Sequence, residues 1–178
     1  MILNERDSRH EHMLNVAKQM MTAARTAPKG KGVDVIETAV VTGKEIKILS
    51  DEMIRLNGEN GLMFFLRDAD NILSAEAIVL IGTREQVQGL NCAYCGFATC
   101  AEKPADTPCA INSIDVGIAI GSACATAADL RVDSRVMFSA GLAAQSLDWL
   151  SGCRNVIAIP ISCSSKNPFF DRKPRERK

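Results

Sequence analysis

The sequence predicts an α+β protein, a mixed β-sheet with flanking helices that carries one irregular cysteine-rich loop. Three observations point there. Apolar residues recur at helical spacing in several stretches, short β-branched runs lie between them, and the segment 89–110 has neither period. With 178 residues, 47% of them hydrophobic and 24% charged, the chain is expected to be a single domain spanning 1–178.

The elements follow in order. Met13, Val16, Ala17, Met20, Met21 and Ala24 fall at helical steps over 11–25, with Asn4, Asp7 or Ser8 available as N-cap. Pro28 and the Lys29–Gly32 run end that helix in a basic loop. The run VIETAVVT at 35–42 reads as a strand. After Gly43, Ile46, Leu49, Met53 and Leu56 share one face of a helix over 44–56, and a second helical stretch covers 62–71. AIVLI at 77–81, closed by Gly82, has the continuous apolar character of a strand buried on both faces.

The segment 113–130 reads as a soluble, deeply buried helix with a stripe of small residues, Gly117, Gly121, Ala125 and Ala128. Glycine in a helix costs about 1 kcal/mol relative to alanine, so close approach of a backbone or a flat cofactor is the expected compensation. A helix over 142–150 and a strand over 156–161 follow, with Pro160 marking a sheet edge or a strand end. The tail from Lys166 is basic and expected to be extended.

Charge and composition exclude several functions. The 21 basic and 21 acidic residues cancel, which removes any broad attraction to nucleic acid or anionic lipid. Aromatic residues make up only 4%, too few for a base-stacking platform. The polar start 1–12 has no signal-peptide pattern, and no run approaches ~18 uninterrupted apolar residues, so neither secretion nor a membrane span is expected. A cytoplasmic location is expected, where thiols stay reduced. A hydrolase triad lacks its base, because the two histidines, His10 and His12, lie in the polar N-terminal segment.

The chemistry lies in the cysteines. Of the seven, Cys92, Cys95, Cys100 and Cys109 crowd into NCAYCGFATCAEKPADTPC with spacing Cys-x2-Cys-x4-Cys-x8-Cys. Four thiolates this close can reach one metal centre, and Gly96 lets the backbone wrap it. Zinc sites usually pair two Cys-x2-Cys knuckles; a single knuckle with uneven gaps favours an iron–sulfur cluster, with zinc as the alternative. Cys124, Cys153 and Cys163 are isolated and read as core thiols.

GLNCAYCGFATC, the downstream Pro-Cys, DVGIAIGSACATAADLRVDSRVMFSAG and KNPFFDR together resemble an uncharacterised family described as ferredoxin-domain-containing, over about 13–172. The NCxxCGxxxC half also resembles the four-iron cluster domain of corrinoid iron–sulfur proteins, in which the fourth cysteine follows a longer gap. This implies a 4Fe-4S cluster on a ferredoxin-like segment at 89–110.

ARTAPKGKG after a helix, with the later small-residue helix and proline-containing strand, resembles the flavin-dependent nitroreductase family. That resemblance implies a nitroreductase-like fold, a homodimer and flavin mononucleotide (FMN), with Lys29 near the flavin ring and Lys173 and Arg175 at its phosphate. The expected function is an iron–sulfur redox protein, acting in electron transfer to a partner protein or as a flavin-linked oxidoreductase. The alternative is a non-enzymatic protein whose zinc or cluster only stabilises a loop.

Overall fold

The computed structural model describes residues 1–170. In chain order the elements are α1 (Glu5–Thr26), β1 (Ile36–Val41), α2 (Lys44–Asn60), α3 (Phe64–Ile72), β2 (Ala77–Arg84), α4 (Ala110–Asp129), β3 (Asp133–Ser134), α5 (Phe138–Ser146) and β4 (Cys153–Ser162). The strands form one sheet in the order β1-β2-β4-β3.

The α+β class stands, but among the described residues every strand pairing is antiparallel, in place of the expected mixed sheet. Between β1 and β2 the chain inserts two packed helices, α2 and α3, instead of one crossover helix. Three reversals of direction, an odd number, bring β2 back antiparallel to β1.

β2 is buried on both faces, as its apolar run predicts. Ile78 and Leu80 enter a core shared with α2, α3 and α5, while Ala77, Val79 and Ile81 enter one shared with α1 and α4. The strand runs through Gly82 instead of stopping there. A Cβ at Gly82 would meet the Val156 side chain at 2.9 Å, so the glycine serves packing against β4.

Several boundaries differ from the sequence pattern for identifiable reasons. α1 starts at Glu5 because the Asn4 side chain accepts the Arg6 N–H at 3.0 Å and Arg9 pairs with Glu5 at 2.7 Å. α5 begins at Phe138 and ends at Ser146, earlier than 142–150. Its Gly141 rides directly on β4, where a Cβ would lie 2.2 Å from the Val156 carbonyl oxygen. β4 is interior, not an edge. Pro160 is tolerated there because its carbonyl faces the β3 side, accepting the Arg135 N–H at 3.3 Å, and its missing N–H falls on that same side.

The expectation of a deeply buried fourth helix is corrected. α4 buries Asn112, Asp115, Val116, Ala119, Ala123 and Ala127 against α1 and the sheet. Gly117, Gly121, Ala125 and Ala128 are exposed instead. By length and composition α4 alone among the described helices could cross a bilayer, yet its inner face belongs to the core. Of the tail expected to be extended, residues 167–170 turn back, with the Phe170 N–H donating to the Asn167 carbonyl at 3.4 Å; the remainder lies outside the described residues. Phe169 is buried, and its carbonyl accepts from Arg135 at 2.7 Å.

Candidate functional site

The segment between β2 and α4 contains neither helix nor strand and holds the four clustered cysteines. Its path is bent by left-handed residues at Gly89, Asn91, Ala93 and Gly96, with φ of 68°, 46°, 59° and 90°. Asparagine tolerates this region; alanine pays roughly 1 kcal/mol. Cys92 is therefore flanked on both sides by left-handed, non-glycine residues. A turn closes behind it, with the Gly96 N–H donating to the Ala93 carbonyl at 2.9 Å.

Asn91 clasps this loop. Its Oδ1 accepts the Cys100 N–H at 2.8 Å, and its own N–H donates to Cys100 Sγ at 3.4 Å. Cys92 and Cys95 lie inside the closed loop and Cys100 at the clasp, all three half-buried free thiols.

Cys109 stands apart. It occupies the N-cap position of α4 and is buried, with no hydrogen bond from its side chain to the cap. Its N–H donates to Glu85 Oε1 at 2.8 Å. That same oxygen lies 3.5 Å from the Lys103 ammonium, which also donates to the carbonyls of Pro104, at 3.1 Å, and Thr107. The Lys103 side chain is only 3% exposed. The stretch joining Cys100 to Cys109 thus folds around an ion pair whose lysine side chain is buried and whose glutamate is half-buried.

All seven cysteines are free, so the donor chemistry fits a thiolate-bound metal or cluster. The placement of the sulfurs does not yet close a site. Among the described residues no three His, Cys, Asp or Glu side chains form a group that could hold a metal ion. The isolated thiols match expectation in part: Cys153 is buried, Cys124 and Cys163 half-buried. Burial pushes the Cys124 and Cys153 thiols up from their ordinary pKa.

Along α4, one turn beyond Cys109, the loop of the basic run docks. The Gly30 N–H donates to Asp115 Oδ1 at 2.9 Å, and a Cβ at Gly30 would strike Ile111 at 2.6 Å. Lys29 turns away from this contact. Its ammonium donates to the Ala24 carbonyl at 2.7 Å and to that of Arg25, capping the end of α1, and burial holds its pKa below the usual lysine value. Lys31 donates to the Gln88 carbonyl at 3.0 Å. Lys173 and Arg175 lie outside the described residues.

The exposed side of α4 borders a cleft of about 480 Å³ shared with α5 and β4. Val116, Ile120, Leu142 and Ile157 are among its apolar lining, and Ser113, Gln145 and Asn155 give it polar groups. An added Cβ at Gly117 would meet nothing within 4 Å, so the glycine opens the wall.

A protein of Archaeoglobus fulgidus, described as uncharacterised, is 39% identical over 186 residues, covering 99% of this chain and 100% of the relative. The family model described as "Uncharacterized protein containing a ferredoxin domain (DUF2148)" matches residues 105–172. The chain belongs to that family. The span matched by this ferredoxin-domain family model includes Cys109, α4 and the cleft, and begins beyond Cys92, Cys95 and Cys100.

Solved structures show the fold of this family member. A nitroreductase from Lactococcus lactis in complex with nicotinic acid has TM-score 0.62 at 14% identity, covering 93% of this chain and 81% of its own. A nitroreductase with bound FMN from Desulfitobacterium hafniense has TM-score 0.60 at 14% identity, with 92% and 82% covered. A BluB-like flavoprotein from Clostridium difficile has TM-score 0.58 at 16% identity, with 92% and 84% covered. The nitroreductase-like fold expected from the sequence is borne out.

Sequence reasoning found the cysteines and missed what holds them. Asn91 left a faint signal, because asparagine beside a cysteine motif is suited to a left-handed turn. Glu85 and Lys103 left none.

Proposed function

We propose that this ferredoxin-domain protein is a redox protein whose iron–sulfur cluster, of 4Fe-4S type, is held by Cys92, Cys95, Cys100 and Cys109. Bound there, the cluster would supply one-electron transfer; the chain's part is to hold, shield and tune it. The observation that carries the reading is the cysteine segment, four free thiols on one irregular connection, set on a fold shared with flavoproteins. Loading requires the clasped loop of Cys92, Cys95 and Cys100 to close toward Cys109.

FMN is the proposed second cofactor. The cleft beside Gly117 supports this, since its apolar lining and open glycine wall suit a flat ring. The phosphate would be held by Lys173 and Arg175. A homodimer is proposed on the exposed apolar side of α4, where Ile114 and Ile118 stand on the surface beside the cleft. The electron partner would be another protein, in the cytoplasm.

The experiment is anaerobic purification followed by iron, sulfide, zinc and flavin analysis. Brown protein with stoichiometric iron and sulfide is the expected result. Colourless protein containing zinc would return the site to loop stabilisation.

A further inference from the structure

The geometry points to Glu85 and Lys103 as positioning residues for the Cys109 ligand, a paired charge that fixes its backbone and balances the field around its sulfur. This rests on the reading of Cys109 as a cluster ligand. Three observations carry it.

First, Glu85 follows directly on β2 and so is held by the most buried strand of the sheet. Its Oε1 takes the Cys109 N–H at 2.8 Å, and the Cys109 sulfur is three covalent bonds from that nitrogen. A carboxylate there also faces the positive end of the 20-residue α4.

Second, Lys103 is nearly sealed from water, with its side chain 3% exposed, and its ammonium gathers Glu85, Pro104 and Thr107 into one knot. A buried ammonium carries a desolvation cost that its partner must offset.

Third, Glu85 Oε2 is buried and accepts no hydrogen bond within the described residues. One oxygen of the Glu85 carboxyl is thus left without a partner on the residue that holds the Cys109 backbone. In a low-dielectric pocket a carboxylate charge acts strongly on a neighbouring redox centre, and the Lys103 ammonium opposes it.

The test has two arms. In the metal-free protein, Glu85→Ala should speed hydrogen exchange at the Cys109 amide by about tenfold, while Glu85→Gln, which keeps the acceptor, stays near wild type. Unchanged exchange in Glu85→Ala overturns the positioning role. In the loaded protein, Glu85→Gln should raise the reduction potential, Lys103→Met should lower it, and the double variant should return toward wild type. Shifts of the same sign, or none, overturn the electrostatic role. The neutral double variant keeps the test decisive where a single unpaired charge prevents folding. Failure of the wild type to take up iron and sulfide defeats the proposed function instead, and the exchange arm still decides the placement of Cys109.

Discussion

Asn91 and Cys100 hold each other twice, once through the Cys100 N–H to the Asn91 side chain at 2.8 Å and once through the Asn91 N–H to Cys100 Sγ at 3.4 Å. The N–H to sulfur contact is the kind that steadies a thiolate. Replacing Asn91 by Ala should remove the side-chain acceptor and strain the left-handed backbone, a local cost of about 1–2 kcal/mol. Asn91→Gly should keep the backbone path and lose only the acceptor. Iron uptake after reconstitution should fall in the order wild type, Asn91→Gly, Asn91→Ala; equal uptake in all three would remove the clasp from the site.

Single replacements of Cys92, Cys95, Cys100 and Cys109 by Ala should each lower the bound iron, whereas Cys124→Ala should not. Inductively coupled plasma analysis of anaerobically reconstituted protein makes the comparison. Undiminished iron in Cys109→Ala would assign the fourth position to another donor.

Thiol labelling of the metal-free protein should be graded. Cys92, Cys95 and Cys100 lie on a half-buried loop and should react first. Burial holds the Cys124 and Cys153 thiols protonated beyond the ordinary pH, so they should lag at neutral pH. The raised pKa sets the sign, and the gap should narrow as the solution turns alkaline. Mass spectrometry of the labelled peptides at two pH values reads it directly.

Two glycines should respond to alanine in opposite ways. Gly141→Ala drives a Cβ into the β4 backbone, 2.2 Å from the Val156 oxygen, and should cost about 3 kcal/mol. Gly117→Ala meets nothing in the single chain and should raise helix stability by up to about 1 kcal/mol. Thermal melts compare the two.

The bulkier Gly117→Leu, together with Ile118→Asp on the same exposed side, examines the proposed pairing of chains. Sedimentation should show a shift from dimer to monomer. A wild-type monomer, or a variant that stays dimeric, would move the contact away from α4.

The sequence made the cysteine segment legible because thiol spacing is a local property, and all four proposed ligands lie within one segment. It made β2 legible because AIVLI admits little besides a strand buried on both faces. The antiparallel sheet was hidden, since it depends on α2 and α3 packing as a pair between β1 and β2. The fold-back of Lys29 is hidden for a related reason. A lysine near a flavin-like loop reads as a cation for a ligand, and nothing in its neighbours shows that it folds back onto the carbonyls of Ala24 and Arg25. The start of α5 was missed because Gly141 looks like a helix breaker until the β4 backbone beneath it is known. Glu85 and Lys103 were invisible because their meeting spans the loop.

Neither hydrophobic core draws on the segment from Glu85 to Cys109; both are built from residues before and after it. Small metal domains commonly fold only when their ion arrives. Here the scaffold is complete without the four clustered cysteines. Under the proposed function, such a chain would lose its inorganic group to oxygen, persist as an intact folded shell, and be refilled without passing through an unfolded state.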